Sequence, residues 1–339
     1  MQLINRLQLR RHPGSAVLFG VFAVVSVVAP HVASAQGARG FRESSFVPTA
    51  EGEWTGPRLP DGQPDVSGHF SNTIGNHNNL TDPQGPFGAD DEGPPREPRP
   101  NARQPKPRNE RAPSRVSDSP DGQVPFQPWA RAKQQEFMKY LNNPIKPEYV
   151  EPFARCAPGG PSKSFMWHGY EIRQFPGYVV FLFDSGNRVI RLGAQPHLPA
   201  NLKLWNGDSV GHWEGNTLVV DTTNNNSKAR LGRSGEFVSE NATIAERLVF
   251  DTSGRLTYNA TYTDPTVLTR PFTITIPNRK VTDKDPGDDW NNLTFPAKHA
   301  GKDIILEAYE RVCVEGNGNH GQVVAADDAS QLNKGGEKK

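Results

Sequence analysis

Three histidines, His168, His197 and His212, lie among acidic side chains in the middle of this 339-residue chain. His212 falls in the run GDSVGHWEGNTLVVDT, between Asp208 and Asp221 and two residues before Glu214. An imidazole held by a carboxylate serves as a general base near neutral pH. His212 with Asp221 as its orienter, and His197 in a loop between Pro196 and Pro199, are therefore the candidate catalytic residues. Arg191 and Arg247 sit on strand-like runs and offer a planar fork to a carboxylate or other oxygen-rich group. Salt bridges to neighbours such as Glu246 are their alternative use, as they are for Arg270. Trp205, Asp208 and Trp213 complete the candidate ligand-binding set.

Other chemistries are disfavoured by what the sequence lacks. The three histidines have neither H-x-H nor H-E-x-x-H spacing, so no metal site is expected from them. G-x-S-x-G, P-loop and GxGxxG signatures do not occur, which argues against serine-hydrolase and nucleotide chemistry. No organic cofactor is expected.

The elements that must position these residues read as strands. Residues 208–214 and 217–222 alternate in character across Glu214-Gly215-Asn216, a two-residue hairpin signal whose turn is Glu214-Gly215 or Gly215-Asn216. Period-two alternation places Asp208, Val210, His212 and Glu214 on the face shared by Thr217, Val219 and Asp221. Trp213, Leu218, Val220 and Thr222 take the opposite face. Further strand runs are expected at 170–175, 178–183, 188–192, 243–251, 255–263, 268–276 and 303–312. Tight turn signals at Pro176-Gly177, Ser185-Gly186-Asn187 and Ser253-Gly254 predict antiparallel neighbours. An antiparallel meander of this size hides its edges most completely by closing into an up-and-down barrel, with an open curled sheet or a sandwich as the alternative. Tyr178, Phe181, Phe183, Tyr258, Tyr262 and Phe272 join the two tryptophans as aromatics able to line or fill its interior.

Outside the barrel, composition divides the chain. Residues 1–35 read as a secretory signal: Arg6, Arg10 and Arg11, an apolar run at 16–28, then Ala33-Ser34-Ala35, with cleavage expected near Ala35. A periplasmic or secreted protein follows from that reading, and no later apolar run approaches the length that spans a bilayer. Residues 36–80 form an irregular arm in which PRLPDGQPDVSGHF carries a turn and a short strand or docking segment at 66–70. Residues 81–125, with 11 prolines and seven lysines or arginines, read as a disordered or extended linker. A docking helix is expected within 126–148, starting at Pro128 and ending before Pro144. The barrel core is assigned to 149–316 and a disordered tail to 317–339.

The formal net charge of +1 gives no electrostatic reason for a nucleic acid or an anionic membrane as partner. The chain has two cysteines, Cys156 and Cys313, bracketing the strand-rich region. In an oxidising compartment a disulfide between them is expected, and closing so long a loop would stabilise the fold by about 4 kcal/mol in the chain-entropy model.

The run from Arg188 to Asp221, with Gln195-Pro196-His197, Trp205, GDSVGHWEG and TLVVDT, resembles a large family of secreted bacterial proteins. That family carries R-x-I-x-x-D-G-R-P-H-P followed by W-x-G-x-S-V-G-x-W-E-G-D-T-L-V-V-D-T. PRLPDGQPDVSGHF, FQPWARA, Arg155-Cys156 and YERVCVEGN are similar to further landmarks of the family. The resemblance implies a calycin-like or lipocalin-like β-barrel and no particular reaction. Two departures stand out: Gly193-Ala194-Gln195 replaces D-G-R, and Asn216 replaces the usual Asp.

Three functions follow as expectations. The first is a barrel binding a small aromatic or oxygenated organic ligand, with Trp205, Trp213 and Arg191 as contacts. The second is a cofactor-independent lyase, isomerase or hydrolase using His212 or His197 with Asp221, and the third is a structural envelope protein. A dry aromatic lumen would favour the binder, an inward histidine-carboxylate pair the enzyme, and a filled barrel the structural role. The sequence fixes no oligomeric state.

Overall fold

A computed structural model describes residues 47–72, 79–83, 107–141, 144–166, 169–183 and 186–280. Among the described residues nine strands close into one barrel in chain order. They are β1 (Gly68–Asn72), β2 (Tyr170–Phe175), β3 (Tyr178–Phe183), β4 (Gly186–Leu192) and β5 (Asp208–Glu214), followed by β6 (Thr217–Thr223), β7 (Thr243–Phe250), β8 (Arg255–Thr263) and β9 (Phe272–Lys280). Closure leaves no unpaired edge, the same reason that the sequence favoured a barrel. β1 makes the seam, pairing with β2 on one side and with β9 on the other.

One pairing departs from the up-and-down plan. β4 and β5 run parallel, with Ile190 opposite Ser209 and Leu192 opposite Gly211. Residues 193–207 must therefore travel back along the barrel before β5 begins, and this return loop carries His197 and Trp205. β9 begins at Phe272 where the sequence suggested residue 268. Val267 and Leu268 instead donate their N–H groups to the Asp264 carbonyl in a turn, and Leu268 bridges to Phe126. The run expected at 303–312 lies outside the described residues.

Strand alternation sends one set of side chains into the lumen. Tyr170, Ile172, Phe181, Ile190, Leu218 and Val220 are buried in the same core as Ile244, Leu248, Tyr258, Tyr262 and Ile274. The short helix α2 (Lys163–Met166) inserts Phe165 among them. Its ring stacks on Tyr258 at 4.3 Å and meets Phe181 and Phe183 edge-on, each at 5.3 Å. The barrel interior is filled.

The helix α1 (Pro128–Lys139) starts at the proline that sequence reasoning placed in its first turn. It buries Ala130, Gln134 and Phe137 against the barrel, and Phe137 meets Phe237 edge-on at 5.7 Å. Part of the expected linker is seated on the wall: Val116 bridges to Ile274, Ser117 donates to the Thr273 carbonyl, and Arg115, Val116 and Val124 are buried. Among the described residues no helix is long and apolar enough to cross a membrane.

Candidate functional site

The β5–β6 hairpin forms as its sequence dictates. Glu214 pairs with Thr217 across Gly215-Asn216, and Gly215 has a φ of 57°. A side chain at Gly215 would collide with the Gly52 carbonyl oxygen, because residues 49–54 pack directly over the turn. Asn216 holds the turn through its side-chain amide. Its carbonyl oxygen accepts from Gly52 N–H at 2.8 Å, while its amide donates to the carbonyls of Ala50 (3.0 Å) and Phe250 (2.7 Å). A carboxylate there has no N–H for those two carbonyls.

The polar face of this hairpin looks outward. His212 is exposed and its Nε2 lies 3.1 Å from Glu214, while across the ladder it faces Val219. Asp221 is paired elsewhere, with His197. Arg247 is also external, held by Glu51 at 2.6 Å and Glu214 at 3.0 Å, the salt-bridge use foreseen as its alternative. Trp213 takes the opposite face, half-buried, and packs at 5.8 Å on Phe250 at the margin of the core.

Four of the chemistry-bearing residues do converge, at the outer end of the parallel pair. His197 Nδ1 lies 2.8 Å from Asp208 Oδ2, and its Nε2 lies 2.9 Å from Asp221 Oδ2. Arg191 Nη2 reaches both oxygens of Asp208, at 3.0 and 2.9 Å, and also donates to the Pro196 carbonyl. Leu198 N–H donates to the same carboxylate at 2.8 Å. Partial burial pulls the His197 pKa down, but the bonds to Asp208 and Asp221 outweigh it and hold the imidazole above its ordinary value. Burial likewise pushes Asp208 up, and the donors Leu198, His197 and Arg191 reverse this and hold it below the usual carboxylate range. With a carboxylate on each ring nitrogen, His197 ties the return loop to β5 and β6. Its general-base lone pair is exposed only if Asp221, 62% exposed, swings away.

Inside the barrel lies a second cluster that sequence reasoning missed. Arg188 forks onto Glu246, with Nη1 to Oε2 at 2.7 Å and Nη2 to Oε1 at 2.5 Å. Tyr258 hydroxyl donates to Glu246 Oε2 at 2.7 Å, Thr222 hydroxyl to Oε1 at 2.7 Å, and Arg188 also reaches Ser209 at 3.0 Å. Burial pushes the Arg188 guanidinium down, and the Glu246 charge overrides it and raises the pKa. The missed signal was parity: Arg188 shares its strand face with inward Ile190, whereas Arg191 takes the other.

Trp205 is where the cavities meet. On one side it joins α1 in lining a groove of about 1000 Å³, together with Trp129, Phe137, Phe237, Val238 and Val267. On the other it borders a smaller cleft of about 430 Å³ with Arg191, Leu198, Leu204, Asn206 and Asp208. Neither opening is the lumen. His168 and Cys313 lie outside the described residues. Cys156 follows the 3-10 turn Pro152–Arg155 with a φ of 52°. Among the described residues no cluster of three His, Cys, Asp or Glu side chains is arranged to hold a metal ion. No family model, no curated protein and no solved structure matches this chain.

Proposed function

We propose that this protein is a periplasmic or secreted β-barrel that binds a small aromatic or oxygenated organic molecule on its outside, in the groove between α1 and the barrel rim. The observation that carries this reading is the groove itself. Its volume suits a drug-sized ligand, and its walls combine the aromatic rings of Trp129, Phe137, Trp205 and Phe237 with charged side chains at the rim, so that an apolar surface and orienting polar groups are both present. Trp129 is 53% exposed and stands edge-on to Phe237 at 6.1 Å, leaving an aromatic face unused by the fold. The filled lumen suits a structural envelope role as well; the groove is what favours binding. Trp205 keeps the contact role given to it from sequence, while Arg191, Trp213 and Arg247 have no part in this groove.

The test is calorimetric titration of the whole protein with a neutral two-ring probe, 2-naphthalenemethanol. Saturable binding that weakens about ten-fold in Trp129→Ala and Trp205→Ala is expected, since each removes about 1–2 kcal/mol of aromatic contact. Binding that neither substitution weakens would move the ligand out of the groove.

A second reading rests on the His197 cluster. Asp208, braced by Arg191, orients Nδ1, so His197 would act through Nε2 once Asp221 turns aside, at the edge of the smaller cleft. This is the cofactor-independent lyase, isomerase or hydrolase expected from sequence, with Asp208 as the orienter. Unchanged metabolite turnover in His197→Gln eliminates it.

A further inference from the structure

The charges around the large groove are not balanced. Its carboxylates are already taken. Glu136 and Glu148 are bound by Lys133 at 3.0 and 3.4 Å, and Glu136 also accepts from the Tyr149 hydroxyl. Glu151, beside the groove, is held by the buried Lys163.

Its cations are different. Arg155, Lys228 and Arg230 line the groove, and none has a carboxylate within ion-pair distance among the described residues. Arg230 is built into the wall. Its guanidinium lies 3.9 Å from the centre of the Phe137 ring, and it donates to the backbone carbonyls of Glu148 (3.0 Å) and Ala229 (3.2 Å). These acceptors fix the fork, and the Glu151 and Glu148 charges favour the cation without pairing directly with it, but burial outweighs them and lowers its pKa to about 10. A partly desolvated cation with no carboxylate in direct contact is costly, and an anion supplied from outside relieves that cost. Because Arg230 is already held in place, little side-chain entropy remains to be lost when the anion arrives.

We infer that the groove selects aromatic carboxylates: the ring lies among Trp129, Phe237 and Trp205, and the carboxylate is drawn to Arg230 with Arg155 and Lys228 beside it. This deepens the groove reading and rests on it. A planar carboxylate matches the guanidinium fork, whereas a neutral alcohol of the same shape gains only the ring contacts.

The experiment compares 2-naphthoate with 2-naphthalenemethanol on the whole protein by calorimetry. The carboxylate is expected to bind about ten-fold tighter, and the difference to shrink as salt rises from about 50 to about 500 mM. Arg230→Gln is expected to bring the two probes to within about three-fold of each other, as loss of one charged contact predicts. If circular dichroism shows Arg230→Gln unfolded, the Arg155→Gln/Lys228→Gln double variant decides at exposed positions, and a fully retained preference there overturns the inference. Equal affinity for the two probes overturns carboxylate selection and leaves the groove standing. Failure of both probes to bind removes the groove reading and the inference together.

Discussion

At the scale of single residues, His197 carries a pH signature. Its folded pKa is raised, so the stability it contributes is complete below the ordinary histidine value of about 6.5 and is lost as pH rises through the folded value. Asp208 has the opposite sign: its folded pKa is lowered, so its contribution is present above about 3.9 and is lost as pH falls through the folded value. The cluster therefore stabilises most in the window between those limits. His197→Gln is expected to cost about 1–2 kcal/mol in that window and progressively less above it, as melting curves recorded across pH would show. The sequence named His197, Asp208, Asp221 and Arg191, and all four meet. It tied Asp221 to His212 because period-two alternation relates residues within a hairpin and says nothing of a return loop. That loop brings His197 onto the hairpin's outer face, where it takes the Asp221 carboxylate.

At the scale of elements, the strands were legible because their period is short and their turns carry Gly or Asn. β2, β3, β5 and β8 fall on the runs read from sequence. The parallel β4–β5 pair was not legible, since no local signal reports that residues 193–207 reverse direction rather than form an open connection. Residues 107–125 also hid their burial: a proline-rich composition argues against a self-made core, yet this segment borrows the barrel's. Asn216 shows an element held by one side chain, since two of its bonds clip residues 50–52 over the β5–β6 turn and the third ties the turn to Phe250 at the end of β7. Asn216→Asp is expected to cost about 1–3 kcal/mol, because the Ala50 and Phe250 carbonyls lose their donor and face a carboxylate. Limited proteolysis would then find residues 47–56 cut earlier than in the parent.

At the scale of the molecule, the barrel is a packed body, and the groove and the cleft that Trp205 borders both lie outside it. Phe165 and the Arg188–Glu246 cluster occupy the space where a lipocalin-like reading expects a ligand. Phe165→Ala is expected to cost about 3–5 kcal/mol and to leave an apolar hole. Benzene should then raise the melting temperature of the variant and leave that of the parent unchanged, because only an emptied interior can take it up. A parent equally stabilised by benzene would show that the interior is not full.

The seam made by β1 also sets a timetable. A chain leaving the ribosome presents Gly68–Asn72 long before either strand it will lie between, and its second partner, β9, is the last of the nine to emerge. The cylinder can be completed only after Lys280 has been made. Until then the nascent protein carries two raw edges, and whatever shields them during synthesis governs how much of it reaches the finished form.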